Sequence, residues 1–199
     1  LSRSPSNILP ESFYANPDVV DVSRQLIGKR LCTFFEGYVT SGIITETEAY
    51  CGRNDRACHA NNGLRTERTE VMYGPPGHAY IYLCYGIHHL FNVVTNREGL
   101  ADAVLIRAVK PDEGFNTIKK RRNHRSSNEL ANGPGKLSQA LGLHTQFSGT
   151  DLYTKPVWIE ETRLSFSDIK TSERIGVEYA GEDAKRPWRF FVDPENIHV

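Results

Sequence analysis

Net charge is missing from this chain: 24 Lys and Arg balance 24 Asp and Glu over 199 residues. No overall field draws it to polyanions, although a zero sum says nothing about local distribution. Long apolar runs are missing too. The longest stretch free of charged side chains, Val71 to Asn96, is broken by Pro75, Pro76, three His and Asn92, so it is no membrane span. Cys32, Cys51, Cys58 and Cys84 lack CxxC spacing, and no apolar h-region opens the chain. They read as reduced intracellular thiols rather than disulfides or zinc ligands. At about 100–200 residues per domain, the chain forms one domain over 11–199 after a mobile Ser- and Pro-containing leader, 1–10.

Asn16-Pro17-Asp18 supplies a cap, a first-turn Pro and an early acid, and Val19, Val22 and Leu26 follow at helical spacing before Gly28. Leu31 to Phe35 and Tyr38 to Tyr50 flank Glu36-Gly37, a tight hairpin turn. Further strands are expected at 80–85, 90–95, 103–109, 157–159, 174–177 and 189–192, and helices over 112–122 and from Gly133-Pro134 to Gly142. Strands and helices do not alternate as in βαβ units. The pattern indicates an α+β fold, a single mixed domain around a curved, largely antiparallel sheet.

Three features break the pattern. Alternation places Ile44, Glu46, Glu48 and Tyr50 on one strand face, where two carboxylates gain nothing structurally and a carboxylate beside an aromatic ring suits a general base. Arg107 interrupts the apolar run 103–109 and, if buried, needs a carboxylate or phosphate partner. Tyr85-Gly86-Ile87 sets large side chains at a hairpin tip with little core to enter, which suits a wedge between stacked bases. Lys119, Lys120, Arg121, Arg122 and Arg125 form a local basic run that a solvated surface explains equally well.

Together with Asp55-Arg56-Ala57-Cys58-His59, the run Gly74 to Ile87 and Asn132-Gly133-Pro134-Gly135-Lys136-Leu137, these segments resemble, in order, the alkyladenine (3-methyladenine) DNA glycosylase family from Leu26 to Val192. The resemblance implies a base-excision repair enzyme that hydrolyses the N-glycosidic bond of alkylated or deaminated purines in duplex DNA, with a hairpin entering the minor groove. By position it implies Glu48 as the base that activates water and Arg107 near that water and the nucleotide's phosphate. Tyr50 and Tyr82 would sandwich the flipped base, with His59 at its edge and Ala57 offering a carbonyl. Asn92 would crowd the 2-amino group of guanine, Tyr85 would fill the gap in the duplex, and Ile87 would be its apolar neighbour.

The start of the helix at Gly133, Gly135 and Lys136 is a candidate phosphate site. The 48–107 region holds no Lys for a Schiff base, which argues for a monofunctional, water-using enzyme. The expected partner is double-stranded DNA containing damaged purines, met by a monomer with no membrane, cofactor or metal. Two other readings remain open on the residues alone: a carbohydrate glycosidase using Glu46 and Glu48, and a non-catalytic binder of damaged DNA.

Overall fold

The computed structural model describes residues 7–197 apart from 165 and 167. Two short helices, α1 (Glu11–Tyr14) and α2 (Val19–Gln25), open it. Asp18, rather than Asn16, caps α2: its carboxylate accepts the Val20 and Asp21 N–H groups at 2.9 and 3.1 Å, while Asn16 Oδ1 accepts the N–H of Asp18. An ionised cap answers both the unpaired amides and the helix dipole. Strands β1 (Arg30–Phe35) and β2 (Tyr38–Tyr50) are joined as expected by Glu36 and Gly37, both at positive φ. β3 (Ala79–Cys84), β4 (His88–Thr95) and β5 (Asp102–Glu113) follow. Then come α3 (Phe115–Arg121), α4 (Pro134–Leu141), β6 (Tyr153–Thr154), β7 (Val157–Glu160), β8 (Lys170–Ser172) and β9 (Arg189–Phe191).

Among the described residues the strands form one antiparallel sheet in the order β3-β4-β5-β2-β1-β7-β6. β9 takes over the β1 edge of β2 at Glu46–Glu48 and carries β8 outside it. Alternation divides the sheet into two faces. Ile81, Phe91, Val93, Val104 and Ile106 join Leu137 and Leu141 of α4 and Val22 of α2 in the main core. Tyr80, Val94 and Ala103 point the other way and pack with Cys58, Ala60, Met72 and Tyr73 in a smaller cluster. Cross-strand register aligns Glu48, Leu105, Asn92 and Tyr80 in one row across β2, β5, β4 and β3.

Three irregularities interrupt the β2–β5 ladder: Asp112 is extra on β5 opposite Ser41 and Gly42, and two adjacent bulges of opposite sense follow, with Thr45 extra on β2 between Ile44 and Glu46 and Arg107 extra on β5 between Ile106 and Ala108. The bulge separates Ile44 from the face predicted for it. Ile44 enters the main core, while Glu46, Glu48 and Tyr50 remain linked through side-chain bonds.

Three other expectations change. The helix expected over 112–122 begins only at Phe115, because Asp112 stays in β5 and bonds Arg30 at 2.6 Å, and Gly114 turns the chain at φ 75° against the Val39 carbonyl. Residues 174–177 form no strand, since the Ile175 N–H goes to a carboxylate instead of a ladder. Of the expected leader, residues 1–6 lie outside the described residues, whereas Leu9 is buried and its N–H bonds the Ile159 carbonyl. α4 begins at Pro134 and ends before Gly142 at φ 74°, as predicted.

Candidate active site

Glu48 lies near the end of β2 with no exposed surface. Its carboxylate is held from three sides. Tyr50 Oη donates to Oε2 at 2.7 Å, Arg107 Nη1 donates to Oε2 at 3.2 Å, and the Ile175 backbone N–H donates to Oε1 at 2.8 Å. Burial first, and then the neighbouring carboxylate, raises the Tyr50 phenol well above its ordinary range, so it stays protonated and donates. Burial opposes charge on Arg107, but Glu48 and Glu46 outweigh it and keep the guanidinium protonated. With two donors on Oε2 and one on Oε1, the spare acceptor capacity lies on Oε1.

Glu46 is engaged differently. Its Oε1 accepts Arg107 Nε at 2.8 Å and Arg189 Nε at 2.6 Å, so it bridges two guanidinium groups and does not line the cavity beside them.

That cavity, of about 360 Å³, brings together Tyr50, Ala57, His59, Tyr82, Asn92, Tyr85 and Arg107. Glu48 sits behind the wall formed by its own donors Tyr50, Arg107 and Ile175. Tyr82 is backed by the stacked ring of Tyr80 at 5.5 Å and met edge-on by His59 at 4.6 Å. The hydroxyl of Tyr80 lies 3.0 Å from His59 Nδ1. Burial, with a smaller effect of Arg68, lowers His59 to about 4, so the ring is neutral at neutral pH. The Asn92 amide nitrogen donates to the Tyr80 and Leu90 carbonyls at 3.0 and 3.3 Å, an arrangement that leaves its oxygen as the group for the cavity.

The hairpin beside the cavity ends in Tyr85, 92% exposed, and Ile87, 70% exposed. Tyr85 at φ 52° and Gly86 at φ 72° make the turn, closed by the Ile87 N–H on the Cys84 carbonyl at 3.1 Å. A tyrosine in the left-handed region costs about 1 kcal/mol and finds no core contact here in return. Gly133, Gly135 and Lys136 stand outside the cavity at the start of α4; a side chain on Gly135 would strike the His88 ring, so this helix end abuts the same hairpin. Lys136 Nζ bonds Asn132 Oδ1 at 2.9 Å.

The basic run lies elsewhere. α3 packs on the start of β2, and Arg121 and Arg122 bond the Ala140 and Leu130 carbonyls, about 26 Å along the strand from Glu48 at ~3.3 Å per residue.

Two residues, one behind the cavity wall and one in it, escape a reading by motif. Arg174 is buried, bonds Asp55 at 2.5 and 2.7 Å, and lies 4.8 Å over the Tyr50 ring. Polar residues Lys170 to Glu173 precede it, so it lacks the apolar surroundings in sequence that mark Arg107. Tyr179, 69% exposed, donates its hydroxyl to the Ala57 carbonyl at 3.1 Å, so the acceptor that the resemblance assigns to the purine is engaged here by the protein itself. Among the described residues no three His, Cys, Asp or Glu side chains converge as a metal site, and no helix is long and apolar enough to cross a membrane.

The chain is similar to known proteins over nearly its whole length. Three relatives carry the name "Putative 3-methyladenine DNA glycosylase". That of Chlamydia pneumoniae is 44% identical over 95% of this chain and 97% of its own. That of Chlamydia abortus is 46% identical over 95% of this chain and 100% of its own. That of Alkaliphilus oremlandii is 41% identical over 92% of this chain and 95% of its own. The family model for methylpurine-DNA glycosylase matches residues 12–196, and the chain belongs to that family.

Proposed function

We propose that the chain is a base-excision repair DNA glycosylase, an N-glycosyl hydrolase that releases alkylated purines and leaves an abasic site. One observation carries the mechanism: a buried carboxylate fixed by three donors directly behind an aromatic cavity at the foot of an exposed hairpin.

The substrate is duplex DNA. Extruding a nucleotide costs a few kcal/mol, least for a damaged or mispaired base. Stacking on Tyr50 and Tyr82, at about 1–3 kcal/mol per base, offsets much of that cost. Tyr85 fills the vacated place in the stack, flanked by Ile87, and the start of α4 at Gly133, Gly135 and Lys136 takes a backbone phosphate. As the C1′–N bond lengthens the sugar becomes cationic. Glu48 stabilises that charge and accepts a proton from the attacking water at Oε1, with Arg107 holding the carboxylate's other oxygen. A positioned general base contributes about 10²–10⁴ in rate.

The test is single-turnover cleavage, without added metal, of a duplex oligonucleotide carrying one hypoxanthine or one ethenoadenine, read as alkali-labile breaks. Wild type should cleave, Glu48→Gln should bind without cleaving, and Glu46→Gln should retain most activity. Cleavage that depends on Glu46 and not on Glu48 would overturn the assignment.

A further inference from the structure

Two guanidinium groups line the cavity, Arg107 and Arg68. Arg107 is matched by Glu46 and Glu48. Arg68 has no carboxylate partner among the described residues, although its near neighbour Arg65 bonds Glu70 and Arg53 bonds Asp102. Its guanidinium lies 5.6 Å from the centre of the Tyr82 ring, at the wall formed by Tyr80, Tyr82 and His59.

Tyr80 and Tyr82 of that wall belong to β3, whereas Glu48 is on β2, and the row Glu48, Leu105, Asn92, Tyr80 spans three strand spacings. At ~4.8 Å each these put Glu48 about 14 Å from Tyr80. The cavity thus has a carboxylate behind its wall at one end and, at the other, a cation with no carboxylate partner among the described residues. Breaking a C1′–N bond separates charge along such an axis, leaving the sugar positive and the purine negative.

We propose that Arg68 stabilises the negative charge on a departing neutral purine and thereby sets the preference between neutral and cationic lesions. The proposal rests on the glycosylase reading and deepens it. For a neutral lesion such as hypoxanthine, both bonding electrons pass to the purine nitrogen. Water oxygen bonds to C1′, Glu48 takes the water proton, and the purine anion is protonated by solvent after it leaves. A cationic lesion such as 3-methyladenine leaves as a neutral base, so Arg68 has no developing anion to stabilise and repels the bound substrate. Neither neighbouring ring supplies a second positive charge: His59 is neutral, and burial pushes the Tyr80 phenol up to about 12, so it keeps its proton and stays neutral. Duplex DNA covering the cavity excludes water from this charge and strengthens its effect.

The experiment compares wild type, Arg68→Gln and Arg68→Lys in single-turnover release of hypoxanthine from a duplex oligonucleotide and of 3-methyladenine from methylated duplex DNA. Arg68→Gln should slow hypoxanthine release about tenfold or more, equivalent to about 1.4 kcal/mol, while leaving 3-methyladenine release unchanged or faster. Arg68→Lys should recover most of the loss. Equal slowing of both lesions, with a shallower salt dependence of binding, would make Arg68 a DNA-backbone contact and overturn the proposal. So would no change in either, or a wild type that releases 3-methyladenine alone. A wild type that releases neither lesion would instead refute the glycosylase reading itself.

Discussion

Replacing Arg174 by Met keeps much of the side chain's bulk but strips Asp55 of both guanidinium hydrogen bonds, at 2.5 and 2.7 Å, inside the protein. Asp55 would retain only the N–H groups of Cys51 at 3.2 Å and Ala57 at 3.1 Å. Breaking a buried pair by removing one partner costs about 3–5 kcal/mol, and the two retained donors place this case near 3. For a chain of this size that lowers Tm by about 6–12 °C, at ~2–4 °C per kcal/mol. Asp55→Asn should cost a similar amount. The double variant leaves no buried charge, so its loss should fall short of the sum by about 2 kcal/mol, a coupling that urea unfolding of all four proteins measures.

Activity should suffer as well, because Arg174 anchors the segment whose next N–H, that of Ile175, fixes Glu48 at 2.8 Å. A hydrogen bond to a charged group is worth about 1.5–3 kcal/mol, so folded Arg174→Met should cleave about ten- to a hundredfold more slowly. Additive stability losses, or full activity in the folded single variant, would refute the reasoning.

Three further outcomes can be checked. Tyr85→Asn should leave thermal stability equal or raise it by up to about 1 kcal/mol, since Asn-Gly suits this turn, yet weaken binding to a duplex with an abasic site; unchanged binding would remove the wedge role. Because His59 is lowered to about 4 in the fold, the unfolded chain takes up a proton before the native state does. His59 therefore costs stability as pH falls from about 6.5 towards 4, by at most about 1.4 kcal/mol per pH unit, and His59→Gln should flatten that part of an acid-unfolding series. Asn92→Ser, which removes the amide held by the Tyr80 and Leu90 carbonyls, should admit 2-amino purines and raise release of undamaged guanine from duplex DNA. Guanine release equal to wild type would count against Asn92 as a gatekeeper.

Local rules made much of the architecture legible. The Glu36-Gly37 hairpin, the helix from Pro134 to Gly142 and the alternating faces of β3, β4 and β5 follow from turn chemistry, capping and a period of two. The Arg107 anomaly points to a carboxylate or phosphate partner, because a permanent charge in an apolar strand needs an anion, and the fold supplies Glu46 and Glu48. The far wall was hidden for two reasons. The third donor to Glu48 is the backbone N–H of Ile175, which no residue type advertises and which comes from 127 positions away. Residues 174–177 have the composition of a strand, and only the fold shows their backbone bonding elsewhere. The Thr45 bulge was equally silent, since nothing in Ile44-Thr45-Glu46 departs from strand composition.

The paired bulges at Thr45 and Arg107 have a consequence for how this sheet tolerates change in length. Each adds one residue to its own strand, and together they cancel, so the pairs on either side of them keep the same register. Deleting Thr45 alone would oblige half of β2 to turn over, either exchanging the sides of the buried Ile43 and Ile44 or carrying Glu48 and Tyr50 to the wrong face. Deleting Thr45 and Arg107 together would restore a regular ladder from Gly42 to Tyr50 around an intact core, but without the guanidinium that joins Glu46 to Glu48. A regular sheet and this site are therefore alternative solutions for the same two strands, and passing between them takes two matched deletions or insertions rather than one.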